Sequence, residues 1–79
     1  MDALIKRLEK EKRKAEDKYT KTNSTYFSMR SIPFDRLTPV LSEKFDQVCR
    51  DMQTYDQVIT KLAVAIQNVT YANELLKTN

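Results

Sequence analysis

From Pro39 onward, apolar residues return at alternating intervals of four and three. Leu41, Phe45, Val48, Met52, Tyr55, Ile59, Leu62, Ile66, Val69, Asn73 and Leu76 hold this spacing without a break, with one polar member, Asn73. An α-helix turns once every 3.6 residues, so a mean spacing of 3.5 lays all of them along one stripe. Phe45, Met52, Ile59, Ile66 and Asn73 take the a positions of a heptad; Leu41, Val48, Tyr55, Leu62, Val69 and Leu76 take the d positions. A repeat sustained over this length predicts a long coiled-coil helix over about 39–77, roughly 58 Å at 1.5 Å per residue. Thr38 suits its N-cap, and Pro39 suits the first helical position, where the missing N–H is an orphan donor in any case.

The first third of the chain carries a weaker form of the same repeat in Met1, Ile5, Leu8, Lys12, Ala15, Tyr19, Thr22, Tyr26 and Met29. It predicts a helix over about 2–29, with Asp2 as N-cap. The segment YTKTNSTYFS is rich in poor helix formers, but Tyr26 and Met29 keep the register and favour continuation through it. Both prolines of the chain fall between the two repeats, in SMRSIPFDRLTPV. Each disfavours helix at the residue before it, so residues 30–38 are predicted to form the turn, with FDRL as one short helical turn. Ile32, Phe34 and Leu37 are expected to fold over the end of the seam.

These elements predict an all-α fold: a single domain over 1–79 built as an antiparallel, coiled-coil-like helical hairpin with a proline-containing turn. A turn centred near residue 34 makes facing residue numbers sum to about 68–70. Lys12, at an a position where an unpaired ammonium is costly, is then expected beside Asp56 to Val58, with Asp56, at e, within reach to pair with it. The same register leaves about ten residues of the second helix beyond the end of the first.

One seam does not use all the apolar surface. Val58, Ala65 and Ala72 occupy g positions and Ala63 an e position, while Val64, Tyr71 and Leu75 lie further round. A helix apolar over more than half its circumference is normally covered by more than one neighbour. The expected partner surface comprises Val58, Leu62, Ala65, Ile66, Val69, Ala72, Asn73 and Leu76. A second copy would complete a four-helix bundle, as a homodimer; a different protein would give a hetero-assembly of helices.

Composition changes this picture little. The chain has 79 residues and no glycine, which fits a fold with very few turns. It has no histidine, so the commonest general base and nitrogen metal ligand are missing. Without glycine there is no phosphate-cradling loop, and one cysteine, Cys49, builds neither a disulfide nor a thiolate zinc site. Cys49, at an e position, reads as a small half-buried hydrophobe. The expectation is a non-enzymatic protein with no cofactor and no metal. No apolar run is long enough for a membrane span, MDALIKRLEKEKRK lacks the apolar region of a signal peptide, and the lone cysteine suggests an intracellular, reducing setting. The NST and NVT sequons at Asn23 and Asn68 are then chance matches.

Charge is distributed unevenly. Residues 1–21 hold eight Lys/Arg against five Asp/Glu, whereas residues 22–79 hold six of each. Lys6, Lys10, Arg13, Lys14 and Lys21 project opposite the apolar stripe as a basic face able to meet phosphates or an acidic partner. Acidic residues four positions away predict ordinary helix pairs: Glu9–Arg13, Asp17–Lys21, Arg7–Glu11 and Asp2–Lys6. No aromatic residue interleaves with the basic ones, so no base-stacking platform is present. The leading reading is a helical protein–protein interaction or oligomerisation module, a small adaptor or assembly subunit. The alternative is a small basic nucleic-acid-binding protein using the outer face of the first helix. A further alternative is a small inhibitor that docks a helix on a target protein.

Overall fold

The computed structural model of the chain describes residues 2–78. Two antiparallel α-helices, α1 (Asp2–Arg30) and α2 (Pro39–Thr78), are joined by a connection containing one 3₁₀ turn, Phe34–Arg36. The hairpin is a rod of 65 × 15 × 14 Å. Its radius of gyration is 18.2 Å, against about 12 Å for a compact domain of this length.

The heptad stripes form the seam. On α1, Ile5, Leu8, Lys12, Tyr19, Thr22, Tyr26 and Met29 are half-buried, and Ala15 is buried. On α2 every a and d residue from Leu41 to Asn73 is half-buried, and Leu76 is exposed. Met1, the first member of the α1 stripe, lies outside the described residues.

Helix α1 runs unbroken through the segment of poor helix formers, where Tyr26 and Met29 are half-buried in the seam. Thr20, Thr22 and Thr25 donate to the carbonyls of Glu16, Lys18 and Lys21 at 2.9, 2.8 and 3.2 Å. Ser28 and Ser31 donate to Ser24 and Phe27, each at 3.1 Å. Such back-bonding satisfies the hydroxyls but slightly destabilises a helix, so it is the packing of Tyr26 and Met29 in the seam that carries α1 through. The Ile32 N–H donates to Met29 at 3.1 Å, and Pro33 then takes extended backbone at φ −58°, ψ 143°.

In the turn, Arg36 and Leu37 donate to the carbonyls of Pro33 and Phe34 at 2.9 and 3.2 Å. Ile32 and Leu37 line a small cavity with Met29 and Phe45 and so close the seam. Phe34 does not join them, contrary to the sequence expectation, and is 91% exposed. Space at this end is already taken: Tyr26 stacks on Phe45 with centroids 5.3 Å apart and planes at 25°.

Helix α2 starts as predicted. The Leu41 N–H donates to Thr38 Oγ1 at 3.2 Å, and the Ser42 N–H to the Thr38 carbonyl at 2.9 Å. Thr38→Ala should therefore cost about 1 kcal/mol. A thermal melt would register this as a fall of roughly 4–8 °C.

The register departs from expectation in ways that have one origin. Tyr26 faces Phe45, so facing residue numbers sum to 71 rather than 68–70. That shift sets Lys12 level with Ile59 and separates it from Asp56; the expected ion pair is absent, and Lys12 Nζ pairs instead with Glu16 at 3.2 Å on its own helix. Asp56 borders a cleft with Tyr19 and Cys49. Asp2 is already helical rather than a cap outside the helix. Side chains in a helix lean toward its N-terminus, so the Asp2 carboxylate reaches past the end of α1 and accepts a hydrogen bond from Asn73 Nδ2 at 3.1 Å. Val69, Ala72 and Asn73 are consequently half-buried, and the overhang shrinks to Glu74–Thr78.

The ion-pair pattern on α1 also differs. Among the described residues the pairs within 4 Å are Lys12–Glu16 and Lys14–Glu11, the latter at 3.6 Å. The four expected pairs do not form: their side chains are exposed, where water competes and a surface pair gains about 0–1 kcal/mol.

Candidate interaction surface

The seam holds the two helices together but leaves little of the molecule covered. Ala15, 7% exposed, is the one buried residue among those described. The accessible surface is 6455 Å², whereas a compact monomer of this mass exposes about 5,000 Å². The excess of roughly 1,500 Å² is larger than the about 800 Å² that each partner buries in a standard protein–protein interface.

Apart from Leu4, the exposed large apolar side chains form two groups: Phe27, Phe34, Leu37 and Val40 around the turn, and five residues along the distal half of α2. Val64 is 50% exposed and Tyr71 64%, both at f positions, and Val58, Leu75 and Leu76 are also exposed. Of the residues expected to form a partner surface, Leu62, Ile66, Val69 and Asn73 lie half-buried in the hairpin's own seam, level with α1. Ala65 and Ala72 are half-buried on the flank beside it, while Val58 and Leu76 stand open. The structure thus divides the predicted set between the seam and one flank.

On the opposite flank lies a feature that hydrophobicity alone did not reveal. Thr60, Ala63, Val64, Gln67, Thr70, Tyr71 and Glu74 recur at spacings of three and four and line an open groove of 820 Å³, which Lys12 of α1 borders. Half of this second stripe is polar, so a search for apolar positions passes over it. Another signal marks it: residues 62–73, LAVAIQNVTYAN, carry no charged side chain on any face of the helix. In a chain that is 32% charged, such a stretch at the surface fits coverage by protein, because charged residues are depleted from interface cores.

The basic residues Lys6, Lys10, Arg13, Lys14 and Lys21 are all exposed along α1. Glu9, Glu11 and Asp17 are exposed among them, and Lys14 is paired with Glu11, so the positive strip is interrupted. Cys49 is half-buried beside Tyr19, Tyr26 and Met52. Among the described residues no group of three or more His, Cys, Asp or Glu is placed to hold a metal, and no helix is long and apolar enough to cross a membrane. The chain matches no family model, no curated protein and no solved structure.

Proposed function

We propose that the protein is a helix-mediated protein-interaction module, a non-enzymatic adaptor or assembly subunit whose hairpin is completed by further helices into a four-helix bundle. One observation carries this reading: an elongated hairpin with a single buried residue among those described leaves exposed valine, leucine and tyrosine side chains along the distal half of its longer helix. A single core in a chain below roughly 80 residues rarely supplies more than about 3–5 kcal/mol even when it is compact. A two-helix rod supplies less, so its stable state is the one in which this surface is covered.

The test is whether folding depends on assembly. Helicity and melting midpoint, followed by circular dichroism, should rise with protein concentration or on adding the partner, because anything that binds only the folded state stabilises it by mass action. A chain that is monomeric by light scattering, cooperative in its unfolding and unchanged in midpoint over a hundredfold concentration range would overturn the reading.

A further inference from the structure

We propose that the partner is a second copy of this chain, packed antiparallel along α2 with a two-fold axis passing beside Gln67. This rests on the interaction-module reading and names its occupant.

The groove stripe is complementary to itself. An isologous contact requires that residue i meet residue j and that j meet i. Turn a second α2 end for end about Gln67, and Tyr71 of each copy comes level with Ala63 of the other, a large ring opposite the smallest side chain of the stripe. Val64 comes level with Thr70, Thr60 with Glu74, and Gln67 with itself, where two amides can exchange hydrogen bonds. Gln67 is the one centre that sets Tyr71 against a different member of the stripe: centres at Thr60, Ala63, Val64, Thr70 and Glu74 set it level with residues outside the stripe, and a centre at Tyr71 sets it on itself.

Charge supports the same centre. The uncharged run 62–73 is centred beside Gln67, so a two-fold there brings no charged residue of α2 onto its own image. Lys61 and Glu74 bound the run, and the rotation brings Lys61 of one copy beside Glu74 of the other at both ends. Area is also sufficient. The pairing overlaps residues 56–78, about 34 Å of helix at 1.5 Å per residue. The N-terminal half of each α1 flanks this contact from opposite ends, so that four helices share the cross-section at its centre and three toward each end. Each copy exposes roughly 1,500 Å² beyond a compact monomer, more than the about 800 Å² per partner that an interface of ordinary size covers.

Complementary charges at the axis provide the test. Gln67 is exposed and outside the hairpin seam. Gln67→Glu places two carboxylates together across the two-fold, and Gln67→Lys two ammonium groups; each alone should weaken dimerisation about 10-fold or more by sedimentation equilibrium. Mixed in equal amounts, the variants should recover wild-type affinity and melting midpoint as a heterodimer, because residue 67 meets residue 67. Small-angle scattering should give the wild-type dimer a longest dimension of about 95 Å, two 65 Å rods overlapped over about 34 Å. A mixture no tighter than the separate variants would overturn the axis at Gln67 while leaving the interaction-module reading intact. A wild-type chain that stays poorly helical and unassociated at every concentration would overturn the second copy and leave a different protein as the partner.

Discussion

Leu62→Asp should abolish most of the helical signal at concentrations where the wild-type chain is folded. Leu62 occupies a d position at mid-seam and is half-buried against α1. Removing its half-buried side chain forfeits up to about 1.5–3 kcal/mol of apolar burial, and the carboxylate then stands in a seam whose one cation, Lys12, is already paired with Glu16. Losing that much approaches the roughly 3–5 kcal/mol that a core of this size supplies. The contrasting substitution is Val64→Asp, half a turn away and 50% exposed. It should spare the seam and weaken only association, so that helicity returns as concentration rises. Circular dichroism over a concentration series separates the two: Leu62→Asp stays unfolded throughout, whereas Val64→Asp shows its midpoint displaced to higher concentration. Wild-type helicity in Leu62→Asp would mean that the seam does not support the fold. The same contrast explains why Leu62 and Ile66 are poor probes of assembly. A charge at either position destroys the hairpin before any partner is involved.

Much of the fold was legible because periodicity is a one-dimensional signal. The four-three spacing from Leu41 to Asn73 marks the buried side of α2 directly, and the Thr38–Pro39 pair marks its start. Register was less legible, since it depends on the path of the turn. The connection has extended backbone at Pro33 and a single 3₁₀ turn, and it moves the facing residues by only one to three positions. That displacement was enough to separate Lys12 from Asp56 and to bring Asp2 within reach of Asn73. Phe34 illustrates another limit: an aromatic residue in a turn looks like a cap, but whether it packs depends on space that Tyr26 and Phe45 occupy from elsewhere in the sequence. The candidate surface was half legible. Val64, Ala63 and Tyr71 stood out as surplus apolar residues, whereas Thr60, Gln67 and Thr70 between them did not. Polar residues join a helix–helix contact through spacing and absence of charge, which a search for apolar positions does not register.

Lys12→Leu should stabilise the chain, with a melting midpoint higher by roughly 4–15 °C at fixed concentration for a gain of about 1–2 kcal/mol. Lys12 is the one charged residue in the a and d positions of either helix, and its side chain retains 35% exposure. It lies level with Ile59, so its methylenes cover the seam while its ammonium must leave it to meet Glu16. Leucine fills the position without that compromise and adds about 0.8 kcal/mol for each CH₂ equivalent newly buried. The ion pair that is lost links neighbours four apart on the helix surface, where such pairs contribute about 0.3–0.5 kcal/mol. Glu16 itself is exposed and returns to water at little cost. Burial therefore outweighs the pair. Polar residues at a positions also restrict register and subunit number, and Lys12 borders the groove assigned to the second copy. If that is its role, the leucine variant should melt at higher temperature yet show a mixture of masses by light scattering where the wild type shows one. A higher midpoint with a single mass would assign Lys12 a cost in stability with no role in assembly. A lower midpoint would mean that the ammonium makes a contact the hairpin requires, and the register setting Lys12 level with Ile59 would then be wrong.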